Sequence, residues 1–505
     1  MNTGLADRIR IDRSSSLSLA GQIEVQIRTL IADGKLLNNH KLLSTRLLSK
    51  SLGISRATVA TAYRKLESEG LVRTGVGSGT YVIAPDEGQS TKLDRSIRKP
   101  LFSSGAESLL RLQADLPDFS VFPEQKYNFA ALVPDEKLFP VERFRECLNH
   151  TLDNEKAMAL QYCGSLGSLR LRERIAGRMA RKGAHISADR ILIVSGAQQG
   201  CDLVFRTFLS PGDRIIVGSP TYHNIYPLMR QMEVGVAPVP VLNSGLDTIA
   251  LERAADDPAA RLIYTMPNFQ NPTGLTATKE NRMRVLEIAA AANLPLLEDD
   301  YEGDLAIDDE LPSIHSLDRE ERVLYVGTFS KSLFPGLRVG WIAAPKKFIA
   351  VLSALKKASD LENSALLQGA LEEFCARGYY DEHLVTVRAA IRERMECVIA
   401  ALERFMPPGS AWSRPRGGYA IWVTLPEGVR SERIYRRAGE RGVLVSPGTL
   451  FTGGGKDPGA VRLSISRTDC AAIEEGVRVL ADVVRSEAAV PGPAAPARSE
   501  TPQHL

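Results

Sequence analysis

Lys331 lies in the segment GTFSKSLFPGLRVGW, residues 327–341, flanked by hydroxyls and followed by an arginine. A lysine that reacts as a free amine must give up its proton, and both burial and nearby cations favour that loss. Thr328 and Ser330 place hydroxyls beside it, and Arg338 supplies a fork that can clamp a phosphate. A single lysine at a strand end is ordinarily a solvated surface charge. Four further segments, in a fixed order along the chain, change that reading.

In SGAQQG (195–200), small residues follow an apolar run and open a helix. The backbone N–H groups of Ala197 and Gln198 can therefore meet an anion at a helix N-terminus. SPTYHN (219–224) puts Tyr222 at a strand end, where its ring can stack on a flat cofactor. NPTG (271–274) offers Asn271, a neutral donor for a ring hydroxyl. EDDY (298–301) adds an acid and a phenol. Asp299, with Asp300 as the neighbouring alternative, can keep a pyridine nitrogen protonated and make the ring an electron sink; Tyr301 can share the hydroxyl's bond with Asn271. Each segment alone is an ordinary turn or strand end. In series they outline a site for a flat, phosphorylated cofactor. None of the seven histidines has metal-ligand spacing, and His223, beside Tyr222, reads more readily as a surface or packing residue than as pocket wall.

Short buried strands must carry these ends. ILIVSG (191–196), RIIVGSP (214–220), RLIYTMP (261–267), LPLLEDD (294–300) and VLYVGTF (323–329) are such runs, separated by helical patterns. They predict an α/β body with a mainly parallel central sheet. At 505 residues, 44% hydrophobic and 24% charged, the chain has an ordinary soluble composition and exceeds one core. It shows no apolar run of 18 residues and no charged-then-apolar leader, which predicts neither membrane insertion nor secretion. Six scattered cysteines without a C-x-x-C pair argue against a disulfide scaffold and a thiolate zinc site, and fit a reducing cytoplasm.

The charge is uneven. Residues 1–84 hold 12 Lys/Arg against 6 Asp/Glu, while the rest of the chain is slightly acidic. A basic head points to a polyanion partner for the head alone. Its first helix spans 22–32, with Ile23, Ile27, Leu30 and Ile31 at helical spacing. Ser44 caps a short second helix closed by Gly53, and Ser55 caps a third from Arg56 to Glu69. Val59, Tyr63 and Leu66 face inward there; Arg56, Thr58, Thr61 and Lys65 fall on the other side. LVRTGVGSGTYVI (71–83) then reads as a two-stranded wing. Such a helix-turn-helix docks its third helix in the DNA major groove.

Two resemblances follow from these segments. Residues 17–83 resemble the GntR-type winged helix-turn-helix, a small α+β head, through SLAGQIEVQIRTLIADGKL, LLSTRLLSKSLGISRATVATAYRKLESEGLV and GVGSGTYV. The resemblance implies DNA contacts by Arg46, Arg56 and Thr58, with Ser78 and Gly79 at the wing tip. Asn38, Asn39, Leu43 and Ala60 depart from the family, which usually has Pro-Gly, a proline and a basic residue there. Residues of about 123–488 resemble the fold-type I pyridoxal-phosphate enzymes, the aspartate-aminotransferase superfamily. This implies pyridoxal 5'-phosphate bound as an aldimine on Lys331, which then shuttles the proton. It further implies Asp299 on the pyridinium, Arg462 (in AVRLSIS, 460–466) on the ligand's carboxylate, and Tyr162 reaching the phosphate of a neighbouring subunit in a homodimer with shared sites.

Together the parts resemble the MocR-type (GabR-like) bacterial regulators. The expected division is an arm (1–16), the head (17–84), a linker (85–122), the pyridoxal-phosphate body (123–487) and a disordered tail (488–505). The expected function is a cytoplasmic regulator that binds double-stranded DNA and senses pyridoxal phosphate, an amino acid or an amine. The alternative is a working aminotransferase of the 2-aminoadipate or aromatic branch with an ancillary head, and an intact site cannot separate the two.

Overall fold

Ser44 and Ser55 each precede a helical run, and in the computed structural model each caps one: Ser44 Oγ accepts the N–H of Leu47 at 3.3 Å, and Ser55 Oγ that of Thr58 at 3.1 Å. The structure describes residues 9, 11, 18–32, 36, 40–75, 79–83, 102–114, 117, 119–122, 125–307 and 312–489. Two units divide the chain, Met1–Leu101 and Phe102–Leu505.

The first unit holds the helices Leu19–Ala32, Thr45–Leu52 and Arg56–Ser68 and the antiparallel ribbon Val72–Gly75 with Gly79–Val82. Gly53 ends the second helix in the left-handed region. Val59, Tyr63 and Leu66 are buried against Ile23 and Ile27, as the spacing predicts. Ile9, in the stretch read as an arm, is buried in the same core. Ser55→Ala is expected to destabilise the head by about 1 kcal/mol. The measure is protease cleavage of the head in the full chain under graded urea, and an unchanged cleavage midpoint would refute the cap.

In the second unit, eight strands stand in the spatial order Ile191–Val194, Gly340–Ala343, Val323–Thr328, Leu296–Asp300, Ala260–Thr265, Arg214–Ser219, Gly235–Leu242, Gly245–Leu246. Pairings from Val323–Thr328 across to Gly235–Leu242 are parallel. Gly340–Ala343 runs against both its neighbours, and Gly245–Leu246 closes the far edge antiparallel. The strands Ile191–Val194, Leu296–Asp300 and Val323–Thr328 are buried residue by residue, which is why they read as continuous apolar runs. One face packs on Ala197–Phe208 and Lys346–Ser359, the other on Thr248–Ala255 and Lys279–Ala291. A second, antiparallel sheet orders Ala411–Trp412, Ala420–Thr424, Ala460–Ser464 and Ser446–Pro447, and packs on the helices Tyr379–Phe405 and Cys470–Ala488.

Two expectations are corrected. The segment 85–122 is not all linker: Ser104–Ala114 is a helix packed on the helix Ile225–Gln231. Gly105 lies so near that helix that a Cβ would come within 3.0 Å of the Gln231 carbonyl oxygen, and Ser104 Oγ donates to Glu233 at 2.9 Å. Farther on, Phe119 and Phe122 set their rings edge-on against Tyr435. Residues 84–101 and the tail beyond Ala489 lie outside the described residues. Cys397 and Cys470 form a disulfide between the two long C-terminal helices, with Cα atoms 5.6 Å apart. Their separation of 73 residues concealed the pairing, which helix packing creates.

Candidate functional site

Parallel strands deliver their C-terminal ends to one edge of a sheet, where open α/β folds place their ligands. A cavity of about 460 Å³ lies there. Eleven of the twelve body residues singled out from sequence line it; Tyr162 does not, and stands 75% exposed beside the segment Glu362–Leu366.

Lys331 follows the strand Val323–Thr328, and its Nζ donates to the Leu132 carbonyl at 2.6 Å. Burial lowers the pKa of this amine, Arg462 and Arg338 add to the effect, and Glu302 and Asp299 oppose it. Thr328 Oγ1 bonds Ser330 Oγ at 3.0 Å and accepts the Ser330 N–H at 3.1 Å. Opposite, the helix Ala197–Phe208 begins at Ala197, so its first-turn N–H groups lack acceptors within the helix. Gly196 holds a φ of +87°, and a Cβ there would lie 2.9 Å from the Arg338 guanidinium. Only glycine lets Arg338 close on this turn, where it donates to the Ser195 carbonyl at 2.5 Å. Helix N-terminus, hydroxyls and guanidinium form a cradle for a phosphate.

Asp299 and Asp300 are separated by strand alternation. Asp300 accepts from Asn268 Nδ2 at 2.9 Å and from Tyr325 OH at 2.6 Å, both away from the cavity lining. Asp299 lines the cavity; its Oδ2 accepts from Tyr264 OH at 2.8 Å and its buried Oδ1 has no partner. Burial pushes the Asp299 carboxyl up to about 7, against the hydrogen bond from Tyr264. A cationic ring nitrogen would supply the missing partner and restore the anion. Tyr301 departs from its expected role: its hydroxyl donates to the Phe269 carbonyl at 2.8 Å, so toward the cavity its oxygen can only accept. Asn271 Oδ1 accepts from Arg462 at 3.2 Å, which leaves the amide N–H groups as its donors.

Arg462 stands on the strand Ala460–Ser464 and donates to the Ala130 carbonyl at 2.5 Å and to Ser446 Oγ at 2.9 Å. Burial draws its guanidinium down to about 10. Its Nε is buried without a partner, as are Gln198 Oε1 and His223 Nδ1. With Asp299, four residues that line one cavity therefore carry buried polar atoms with no partner among the described residues. Buried polar atoms are normally bonded, so such a convergence marks a ligand site. His223, read as packing, is thus a wall residue; burial and Arg462 lower it to about 4, leaving a neutral imidazole. Sequence reading missed Leu132 and Phe119, which also line the cavity. The Leu132 contact is a backbone carbonyl that no residue type encodes.

In the head, Arg46 and Arg56 are exposed and Thr58 is half-buried, its Oγ1 2.8 Å from Ser55 Oγ. Lys65 instead reaches Glu24 on the first helix at 2.8 Å. Gly79 has a φ of +109°, and a Cβ there would meet Lys41 Cε at 2.8 Å. Ser78 lies outside the described residues. Lys41 and Arg73 each lie 5.5 Å from the centre of the Tyr81 ring, two wing cations that sequence reading passed over.

Comparison with known proteins is consistent along the chain. The family described as "Aminotransferase class I and II" matches residues 130–480, and "Bacterial regulatory proteins, gntR family" matches residues 19–82. The uncharacterized HTH-type transcriptional regulator YisV of Bacillus subtilis is 30% identical, covering 94% of this chain and 97% of its own. Aromatic-amino-acid aminotransferase 1 of Thermococcus litoralis is 34% identical over 71% of this chain and 88% of its own. A crystal structure of Pyrococcus horikoshii kynurenine aminotransferase in complex with PMP superposes with a TM-score of 0.70 at 32% identity, covering 77% of this chain and 95% of that one.

Proposed function

The chain belongs to the aminotransferase class I and II family and carries a gntR-family head, the MocR-type architecture of a DNA-binding regulator, and from that premise we propose that it binds pyridoxal 5'-phosphate in the cavity and reads an amino compound there. The observation that carries this is the convergence of eleven expected residues on one cavity, three of which, with His223, carry buried polar atoms that await a partner.

When bound, pyridoxal phosphate supplies an electron sink for charge developing at the carbon bearing the amino group. The residues around it would divide the remaining work. Arg338, Ser330, Thr328 and the helix turn at Ala197 and Gln198 would hold the phosphate. Asp299 would keep a proton on the ring nitrogen, Asn271 would donate to the ring oxygen, and Tyr222 would cover a ring face. The Lys331 amine, kept reactive by burial, would attach the cofactor and later carry a proton. Arg462 would bind the ligand's carboxylate through a guanidinium already oriented by Asn271, Ser446 and Ala130. Exposed Tyr162 fits a role in a partner subunit's site within a homodimer. A ligand regulates the head only if its binding energy differs between two arrangements of the protein.

The test is fluorescence anisotropy of the cofactor-loaded protein on its own upstream intergenic DNA at about 150 mM salt, where non-specific phosphate binding is weak. Preference over unrelated DNA that shifts with an amino acid supports the reading; no preference overturns it. Arg56→Ala is expected to weaken binding by about 1–3 kcal/mol if that side chain reads a base, or to flatten the salt dependence if it meets a phosphate. Unchanged binding and slope would remove Arg56 from the interface. A second reading, a working aminotransferase, is favoured by the complete set of Lys331, Asp299, Asn271 and Arg462 in one cavity. Release of keto acid over many turnovers would establish it.

A further inference from the structure

Glu302 follows Tyr301 in the turn after the strand Leu296–Asp300, and only 1% of its surface is exposed. Buried carboxyls are rare unless paired, and the chemistry proposed above makes no use of this one. One oxygen, Oε2, accepts the backbone N–H of Tyr419 at 3.2 Å, while Oε1 is buried with no hydrogen-bond partner among the described residues. The backbone above it is shaped to come close. Gly418 holds a φ of +67°, and a Cβ on it would strike Glu302 Oε2 at 2.5 Å. Tyr419 then ties the acid to the lysine segment: its N–H holds Glu302, and its hydroxyl donates to the Lys331 carbonyl at 3.0 Å.

We infer that Glu302 is a positioning residue that tunes the protonation of the Lys331 side-chain nitrogen, a role resting on the pyridoxal-phosphate reading of the cavity. The charged and titratable groups facing the pair come from four elements, Tyr419 ahead of the strand Ala420–Thr424 being one. Asp299 and Tyr301 belong to the same strand and turn as Glu302, Arg462 comes from the strand Ala460–Ser464, and Arg338 lies on the lysine's own loop. Burial pulls the lysine down and pushes Glu302 up to about 7; among the charges on Lys331, Glu302 acts most strongly, ahead of Arg462, Arg338 and Asp299. A negative charge on Glu302 therefore opposes the lowering of Lys331 by burial and by the two guanidinium groups.

The experiment is a pH titration of the near-visible absorbance of the full-length protein loaded with pyridoxal phosphate. Glu302→Gln keeps an acceptor for the Tyr419 N–H and removes the charge. Its midpoint is expected to fall by about one pH unit or more, with Glu302→Asp falling less. A purely structural acid would leave the midpoint in place. Should Glu302→Gln fail to fold, Glu302→Asp and Gly418→Ala, which crowds Oε2, decide the matter by a shift in the same direction. A midpoint that ignores whichever of these variants folds overturns the role of Glu302 alone. A wild-type protein with no cofactor absorbance overturns the cofactor reading and this role with it.

Discussion

Lys331→Ala, reconstituted with pyridoxal phosphate, is expected to lose all near-visible absorbance attributable to attached cofactor and to retain none after borohydride treatment. Among the described residues no other lysine lines the cavity, so none of them stands in for the missing amine. The cradle of Arg338, Thr328, Ser330 and the Ala197 helix turn survives the change, and weaker, dialysable binding should remain. Mass spectrometry of the reduced protein decides the point. A cofactor adduct still fixed to the variant would show that another amine carries it. Because among the described residues Lys331 Nζ donates to the Leu132 carbonyl alone, its removal leaves one acceptor open and should cost the fold little.

Arg462→Met should separate cofactor binding from ligand recognition. The guanidinium is buried, and three hydrogen bonds already fix its plane. Removing one partner of a buried charged contact costs about 2–5 kcal/mol. An amino acid that perturbs the cofactor spectrum of the wild type should therefore need a concentration higher by roughly tens to thousands of fold. The cofactor band itself should persist. An amine lacking a carboxylate should be much less affected, and that contrast is the sharper readout. Equal loss for both ligands would mean that Arg462 supports the wall of the cavity rather than the carboxylate.

Much of this site was legible because it depends on residue type at strand ends. A parallel sheet brings its strand ends to one edge whatever lies between them, so Lys331, Asp299, Asn271 and Tyr222 converge even though more than a hundred residues separate the first from the last. Helix caps at Ser44 and Ser55 were legible for a similar reason, since capping is local. Contacts made to backbone were hidden. The Tyr301 hydroxyl is committed to the Phe269 carbonyl and Lys331 to that of Leu132, and carbonyls are identical at every position. The choice between Asp299 and Asp300 required knowing which face of the strand meets the cavity. The Cys397–Cys470 bond and the helix Ser104–Ala114 were hidden because each depends on a distant packing partner rather than on its own neighbourhood.

Phe119 precedes the boundary that composition draws at residue 123, yet it lines the cavity and leans on Tyr435. A body excised at that boundary would be a differently shaped vessel, open along one side and without the aromatic brace of Phe122. Ligand preferences measured on such a fragment would describe the fragment. A dissection begun ahead of Ser104 keeps the wall, and the same amino acids assayed on both fragments would report how much discrimination the segment ahead of residue 123 contributes.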